Sequence, residues 1–569
     1  MSEYTGDNQG NSKNTKRQLV YTRWGQLKSE RASWYSHWQE ISRHLLPRSG
    51  RFFVQDRNRG YRRDQAIYDN SATRALRVLA AGMMSGMTSP ARPWFRLSTS
   101  DPQLTKNPAV KAWLSQVTGI MLEIFNKSNT YRAFHSMYEE LGAFGTGASI
   151  VTEDYRNIIH HFPLTAGEYC IAADWKGDVC TLYREFQKPV VSIVKEFGLE
   201  NVSNTVKSLY DRGSLDQWVT LVHAIEPRED RDITRRDSKN MPWKSVYFEI
   251  GGEPDKFLRE SGFNSFPCLA PRWAVVGGDI YGGSPGMDAL GDIKQLQQEQ
   301  LRKAQAIDYK VRPPLAVPMS VKNRDVDRLP GGITFVDTTS PNGGIKSMWE
   351  VSLDLNHLSL DIQQCSQRIQ QAFYSDLFLM ISDISNSRMT ATEVAERKEE
   401  KMLMLGPVLE RLQNEMLDPT IDVTFERMLK AGIVPPPPPE LQGQDLNVEF
   451  VSILAQAQRA IQTNAIDRFV MNLGQIAQLK PDVLDKLDAD KWAEEYSDML
   501  GVDPSLIVPS KDVALIRQQR AKQQAAQQAA AMAQPMSHAA TAAQKLSQTD
   551  PQKLQDVMGM FSGYTSGAA

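Results

Sequence analysis

Two stretches near the middle of the chain repeat apolar residues with helical spacing and are otherwise polar. The first runs from Asp288 to Lys310 and the second from Leu355 to Tyr374. A stripe this narrow predicts a helix that buries one seam and leaves the rest of its surface polar. Each seam therefore needs a neighbour, in the same chain or in another copy of it. The stripe residues are Leu290, Ile293, Leu296, Leu301, Ala304 and Ile307 in the first helix, and Leu355, Leu358, Ile362, Cys365, Ile369 and Phe373 in the second.

An insert rich in proline and glycine, Val311 to Val351, separates these two helices. Arg312-Pro313-Pro314 must end the first helix, because proline lacks the amide donor and clashes with the preceding turn. Two Pro-Gly clusters inside the insert predict turns. Ile333–Val336 and Ile345–Val351 have the composition of short strands. The sequence therefore predicts a helix pair that carries a small β-containing tip.

The first 285 residues mix helical and strand patterns, which predicts an α+β unit. A stripe with Trp24, Trp34 and Trp38 predicts a core helix between Val20 and Leu45. Asp174–Asp178 is typical of a hairpin turn. Further helices are predicted over Ser71–Met87, Pro108–Asn126 and Tyr131–Ala143, and strands over Ile150–Val151, Ile158–Ile159, Tyr169–Ile171, Val179–Tyr183, Trp218–Ile225 and Val246–Ile250.

The chain after the second helix is predicted to begin with a loop, Ser375–Met389. Thr390–Glu393 is a capping-box pattern and predicts a helix that runs to Leu429 with a kink at Gly406-Pro407. Five prolines, Pro435–Pro439, predict a stiff spacer. Helical patterns return over Glu449–Leu479, Pro481–Leu500 and the Ala/Gln-rich Ala514–Ala533.

Composition narrows the class of protein. The 569 residues include 65 Lys and Arg against 67 Asp and Glu, for a net charge of -2, which argues against wrapping nucleic acid on a basic surface. The length suggests roughly three or four domain-sized units. The four cysteines lack CxxC spacing and suit a reducing compartment rather than a disulfide framework or a zinc site. Neither a secretory signal nor a membrane helix is expected.

Catalytic motifs are missing from the sequence. It contains no GxxxxGK[ST], HExxH or GxSxG pattern, and no cofactor or metal is expected. His160-His161 is the best catalytic candidate, but adjacent side chains on a strand point to opposite faces, which favours a structural role. The chain is therefore predicted not to be an enzyme. A hydrolase that uses these histidines, and a helical DNA-binding scaffold, remain as alternatives.

Four motifs in a fixed order around the central helix pair resemble a known family, the portal or head-to-tail connecting proteins of short-tailed (podovirus-type) bacteriophages. The resemblance extends from about Trp24 to Leu429. The motifs are Gly167-Glu168-Tyr169 with the hairpin that runs to Arg184, His223–Arg228, Tyr281–Leu290 and Thr390–Val394.

The resemblance implies a ring, usually a dodecamer, at one vertex of the capsid. Double-stranded DNA would pass through it during packaging and ejection, and a terminase large subunit and tail adaptor proteins would dock on it. The packaging ATPase would lie in the terminase. Further expected partners are the major capsid and scaffolding proteins, with a location in the host cytoplasm during assembly and then in the virion. Another ring-forming or internal virion protein is the alternative within this class.

Carried onto this sequence, the resemblance gives a mainly helical α+β portal fold. It assigns residues 1–285 to a wing, 286–310 to the first stem helix, 311–351 to a clip, 352–374 to the second stem helix, 375–389 to a tunnel loop, 390–434 to a kinked wing helix, 435–446 to a proline-rich linker, and 447–569 to a helical crown whose last helix could continue as a barrel.

Three sets of site residues follow from this layout. A channel of mixed charge would guide a duplex without holding it, since DNA carries one charge per ~1.7 Å of its axis. The candidate residues are Asp376, Asp383 and Arg388 for the DNA channel at the tunnel loop, Lys322, Arg324 and Arg328 for the docking surface of the clip, and Leu355, Leu358, Ile362 and Ile369 for the stem seam.

Overall fold

The computed structural model describes residues 15–52, 63–101, 104, 107–235, 237–312, 314–316, 346–347, 355–382, 405–441, 446–450, 469–475, 488–500, 508 and 513–527. The chain divides into two compact units, one comprising residues 1–105 and 113–462 and the other residues 106–112 and 463–569. Within the described ranges, no helix is both long and apolar enough to cross a membrane.

Most of the predicted helices are confirmed close to their predicted positions, and the structure adds short helices that were not predicted, among them those over Val190–Phe197, Asn204–Asp211 and Ser375–Ser382. In chain order they are α1 (Lys16–His44), α2 (Ser71–Met87), α3 (Pro108–Lys127), α4 (Thr130–Phe144), α5 (Val190–Phe197), α6 (Asn204–Asp211), α7 (Pro285–Asp288), α8 (Leu290–Val311), α9 (Leu355–Ala372), α10 (Ser375–Ser382), α11 (405–412), α12 (Asp418–Lys430), α13 (469–475), α14 (Ala489–Leu500) and α15 (513–527).

Helix α1 shows why the predictions from periodicity succeed. Thr15 and Gln18 form a capping box, in which each side chain accepts a hydrogen bond from the other residue's backbone N–H. The predicted stripe is buried except for Trp34, which is half-buried, and the Leu27 and Ile41 side chains contribute about 1.5–3 kcal/mol each. The helix ends at His44, shortly before Pro47, because proline cannot continue it.

The strands form antiparallel sheets, and the mixed α+β fold class is confirmed. A five-stranded sheet has the order β4-β5-β6-β7-β8, a three-stranded sheet the order β3-β2-β9, and two pairs are β1-β12 and β10-β11. The strands are β1 (Phe95–Thr99), β2 (Ala148–Asp154), β3 (Ile158–Leu164), β4 (Tyr169–Ala173), β5 (Val179–Pro189), β6 (Trp218–Pro227), β7 (Trp243–Glu249), β8 (Arg259–Phe263), β9 (Cys268–Leu269), β10 (Leu315–Ala316), β11 (Lys346–Ser347) and β12 (Leu446–Phe450).

The five-stranded sheet takes part in two apolar clusters. In one, Trp24 and Leu27 of α1 pack with Phe248 of the sheet. In the other, Val190 and Ile193 of α5 lie with sheet and loop residues that include Leu221 and Leu258. Helices α1 and α5 are thereby fixed to this sheet.

Two predictions after α9 are wrong. Ser375–Met389 is not entirely a loop, because its first part is helix α10, in which Leu377 and Phe378 are buried and the helix packs on α2. The predicted helix does not begin at Glu449, because Leu446–Phe450 is strand β12, paired with β1. In both cases contacts with residues far away in sequence override the local pattern.

The helix after residue 405 contains a π-helical turn, Gln413–Leu417, that sequence analysis missed. Pro419 follows this turn in the first turn of α12 and cannot donate to the carbonyl four residues earlier, so the ladder is interrupted there. The capping box at Thr390–Glu393 and the strand at Ile333–Val336 lie outside the described residues. The kink at Gly406-Pro407 lies at the edge of a described range and stays a prediction.

Candidate functional site: the helix pair and its root

The motif Tyr281–Leu290 forms the root from which helix α8 begins. The Tyr281 ring is buried against the rings of Trp34 and Trp38, with centroid distances of 6.1 and 5.1 Å. Its hydroxyl accepts a hydrogen bond from the Ile171 backbone N–H at 3.2 Å. Helix α1, strand β4 and the start of the helix pair therefore meet at one tyrosine.

Two glycines allow the root to approach the end of α4. Gly145 ends α4 with a φ of 75°, a left-handed conformation that favours glycine. A Cβ on Gly282 would lie 2.4 Å from the Gly145 carbonyl oxygen, a distance that no side chain tolerates. The Gly282 N–H donates to the Thr146 hydroxyl at 2.9 Å. Only glycine fits at this crossing.

Ser284 fixes the next turn of the root. Its hydroxyl accepts from the Met287 N–H at 3.0 Å and donates to the Ala143 carbonyl at 2.7 Å. The serine thus caps α7 and binds it to α4 at the same time. Sequence analysis identified this motif by resemblance, and the structure supplies its physical reason.

Gln297 binds helix α8 to the segment that precedes α2. Its side-chain oxygen accepts from the Tyr68 and Asp69 N–H groups at 2.6 and 2.8 Å, and its amide donates to the Asp69 carbonyl at 2.9 Å. The residue is only 4% exposed, so these buried polar groups satisfy one another. Nearby, Lys294 pairs with Glu40 of α1 at 2.6 Å and lowers the pKa of that carboxyl group.

Polar contacts join α8 to α9. The Cys365 thiol donates to the Asp292 carbonyl at 3.2 Å, and Arg368 pairs with the Asp292 carboxylate at 3.0 Å. Burial raises the pKa of Glu299, and the Asp361 carboxylate acts in the same direction. These contacts fix the register of the two helices.

The apolar residues of the helix pair are buried near the root and exposed further out. Near the root, Ile293 and Ile369 are buried. Further out, Ile307 is 41%, Leu360 55% and Val311 71% exposed. A helix pair that leaves apolar residues in water at one end is typical of a surface that other chains cover.

The structure places the predicted seam residues unevenly. Ile362 and Ile369 are buried and Leu358 is half-buried, whereas the side chain of Leu355 lies outside the described ones. Of the predicted channel residues, Asp376 lies half-buried in the first turn of α10, and Asp383 and Arg388 fall outside the described ranges. The clip residues Lys322, Arg324 and Arg328 also fall outside them.

The two other described motifs form buried polar contacts in the five-stranded sheet. Glu168 pairs with Arg184 at 2.8 Å. The His223 ring stacks on Tyr247 with centroids 3.8 Å apart, and its Nε2 is hydrogen-bonded to Ser245. These contacts hold the sheet together.

A buried arginine that no sequence pattern predicted, Arg272, connects three segments. The Arg272 guanidinium pairs with Glu415 of the π-helical turn at 2.6 Å. It also donates to the carbonyls of Gly177 and Ile280 at 2.7 and 3.4 Å. Gly177 is 95 positions and Glu415 143 positions away from Arg272 in the sequence. No local sequence pattern could therefore predict these contacts.

His160 and His161 lie on opposite faces of β3, as predicted. His161 is fully buried, and neither ring nitrogen has a hydrogen-bond partner within the described part of the chain. Burial lowers the pKa of His161 to about 3. The His160 ring lies 4.6 Å from that of Phe162. Among the described residues, no group of His, Cys, Asp and Glu could hold a metal ion.

These features are typical of a structural protein that assembles with other protein chains. An α+β base holds a polar helix pair through a tightly packed root, and the far half of that pair is exposed. Residues 17–508 match the family described as bacteriophage head to tail connecting protein. The match covers most of the chain, which therefore belongs to that family.

Two curated relatives agree with this assignment. The probable portal protein of Bordetella phage BPP-1 is 64% identical over 554 residues, covering 97% of this chain and 99% of the relative. The portal protein of Salmonella phage epsilon15 is 46% identical over 541 residues, covering 95% and 97%. A chain in the virion of a native gene transfer agent particle aligns with 82% of this chain, and with 99% of its own length, at 11% identity and a TM-score of 0.36.

Proposed function

We propose that copies of this chain form a closed ring at one capsid vertex, through which double-stranded DNA enters during packaging and leaves during ejection. The observation that carries the proposal is the similarity to two phage portal proteins, which are 64% and 46% identical over nearly the whole chain. The exposed apolar end of the helix pair supports it physically, because head-to-tail contacts in a closed ring would cover that surface on every copy. The ring is proposed to contain twelve copies.

The parts of the ring are proposed as the resemblance implies. Residues 1–285 form the wing, 286–310 and 352–374 the stem, 311–351 the clip, and 447–569 the crown. The contacts at the root would hold the stem firmly on the wing. Gln297 is hydrogen-bonded to the backbone of Tyr68, and Tyr281 to the backbone of Ile171. The linker 435–446 is attached to the wing, because Trp113 donates to the Pro435 carbonyl at 3.0 Å.

The DNA channel and the docking surface of the clip belong to the same proposal. Asp376, Asp383 and Arg388 would guide the duplex, and the clip residues Lys322, Arg324 and Arg328 would contact the terminase large subunit and later the tail adaptor. Assembly in the host cytoplasm would involve scaffolding and major capsid proteins. The chain itself is proposed to have no catalytic activity, with ATP hydrolysis supplied by the terminase.

Native mass spectrometry combined with negative-stain imaging of the purified full chain tests the ring. We expect a closed particle near twelve copies with a central hole. The double variant Ile307→Asp, Leu360→Asp should assemble at least tenfold less readily, because it places charge on an exposed apolar surface that would lose water in the ring. Leu19→Asp, an exposed site on α1, is the matched control and should assemble normally.

Other outcomes would separate the alternatives. A stable dimer or tetramer without a hole contradicts the ring. A monomer that binds duplex DNA with steep salt dependence supports a DNA-binding scaffold instead. Hydrolytic activity that disappears in a His160→Ala, His161→Ala variant would support the enzyme alternative.

A further inference from the structure

A single tryptophan stands in solvent at the turn between β4 and β5. The Trp175 side chain is 89% exposed, although tryptophan is highly buried on average. The Lys176 ammonium lies 5.2 Å from the ring centroid. Tryptophan is among the residue types most enriched at the energetic centres of contacts between proteins, which makes this side chain a candidate for such a contact.

The turn that carries Trp175 is rigid. The Asp174 carboxylate accepts from the Lys176 and Asp178 N–H groups at 2.9 and 3.0 Å. The Gly177 carbonyl accepts from the buried Arg272 guanidinium at 2.7 Å, and Glu415 holds that guanidinium in turn. A side chain presented on a fixed backbone loses little conformational entropy when it binds.

An apolar patch lies at the opposite end of β5. Val191, Leu215 and Trp218 are 37 to 44% exposed. They are neighbours, because the Val191 N–H donates to the Leu215 carbonyl at 3.1 Å and Trp218 stands opposite Pro189, the last residue of β5. We call these three residues the β5-end patch.

The whole length of strand β5 separates Trp175 from the β5-end patch. Strand β5 runs from Val179 to Pro189, and its 11 residues span roughly 35 Å at ~3.3 Å each. A ring built from identical copies needs two different surfaces on opposite sides of each copy, so that one contact repeats around the circle. Within the five-stranded sheet, this pair of features meets that requirement.

We propose that Trp175 of one copy packs on the β5-end patch of the neighbouring copy, as a repeated contact between adjacent wings. This inference rests on the proposed ring and names one of its contacts. The partner is a second copy of this chain, because the tip and the patch are both apolar and lie at opposite ends of the same rigid sheet. Packing the indole there would bury most of its 150–250 Å² of surface.

Cysteine crosslinking in assembled rings tests the contact. Lys176→Cys and Asp216→Cys place thiols beside the tryptophan and beside the patch while leaving Trp175 and Leu215 unchanged. The double variant, treated with a short bis-maleimide, should give a ladder of crosslinked chains up to the ring size. A ring assembled from a mixture of the two single variants should give dimers only, because each chain then carries one introduced thiol and can be crosslinked to only one neighbour.

Two controls exclude other sources of crosslinking. The native chain measures the background from its own thiols, of which Cys180 is half-buried and Cys170, Cys268 and Cys365 are buried. Arg156→Cys, on the exposed turn between β2 and β3, combined with Asp216→Cys, should give no ladder. Dimers from Lys176→Cys alone would show two tryptophan turns facing each other and would overturn the proposal.

Assembly of tryptophan variants provides a second measurement. Trp175→Ala should raise the protein concentration at half-assembly at least tenfold, as expected for a tryptophan at the centre of a contact. Trp175→Phe should raise it much less, and Tyr155→Ala, which removes another fully exposed ring, should leave it unchanged. Intact rings that give no ladder and an unchanged Trp175→Ala variant would overturn the contact while leaving the proposed ring in place. A chain that forms no ring would overturn both.

Discussion

The buried His161 should make the folded chain less stable at acidic pH. Its ring is fully buried, packs edge-on against Phe134 at 5.8 Å, and has no hydrogen-bond partner within the described residues. The substitution His161→Phe keeps a flat ring of similar size. The backbone of residue 161 keeps both of its hydrogen bonds to the Asn129 side chain, because these do not involve the imidazole.

The sign of the effect follows from the two pKa values. The pKa of His161 is about 3 in the folded chain, against 6.5 for a free histidine. Below pH 6.5 the unfolded chain takes up a proton that the folded chain refuses, so the stability present above pH 6.5 is lost as the pH falls toward 3. The full shift corresponds to about 5 kcal/mol, and roughly 3 kcal/mol is lost by pH 4.5.

The phenylalanine variant should not lose this stability. At pH 7.5 it should be as stable as the native chain or about 1 kcal/mol more stable, since two unsatisfied nitrogens are removed. At pH 4.5 the gap should widen by roughly 3 kcal/mol, or several degrees in Tm. Thermal unfolding of both chains across this pH range measures the gap, and contributions from other buried groups cancel in the difference.

His160→Phe is the matched control, because it removes the neighbouring ring from the half-exposed face of the same strand. A pH-dependent gap of the same size in this control would show that the effect does not come from the burial of His161. A gap for His161→Phe that stays constant between pH 7.5 and 4.5 would refute the reasoning.

Two further predictions concern the root and its surroundings. Gly282→Ala places a Cβ 2.4 Å from a backbone oxygen and should lower the free energy of unfolding by at least about 2 kcal/mol. Gly283→Ala is the control and should be tolerated, because its Cβ would meet nothing closer than 3.9 Å. Equal melting temperatures of the two variants would contradict the close approach. Burial raises the pKa of Glu140 to about 7 from 4.5, so the folded chain holds a proton there and loses roughly 3 kcal/mol as the pH rises through this window. Glu140→Gln should therefore gain in Tm relative to the native chain between pH 5 and pH 8, and parallel pH profiles would show that this carboxyl group does not titrate in that range.

The elements with a long apolar period were predictable from the sequence. Helix α1 needs no distant partner to set its stripe, and its ends are fixed by Thr15 and by Pro47. The same holds for α2, whose bounds agree with the prediction at both ends. Short elements that depend on distant partners were missed. Strand β1 has five residues, and its pairing partner β12 lies near the other end of the larger unit.

The candidate site was predictable in outline and not in its contacts. The stripes on α8 and α9 indicated a helix pair, but they did not show which half the base would cover. Gln297 looks like any other polar position in a helix rich in glutamine. Its role depends on backbone groups of Tyr68 and Asp69, about 230 positions away, and no spacing in the sequence contains that information.

The pairing of β1 with β12 has a consequence for the order in which the chain folds during synthesis. Phe95 is fully buried, and its ladder partner is Phe450, which leaves the ribosome roughly 350 residues later. At 5–20 residues per second this delay is roughly 20 to 70 s. Throughout that interval strand β1 lacks its partner, so each copy completes the larger of its two compact units only after most of its chain has been translated. In the proposed ring, contacts between copies that need this finished unit would therefore form after translation.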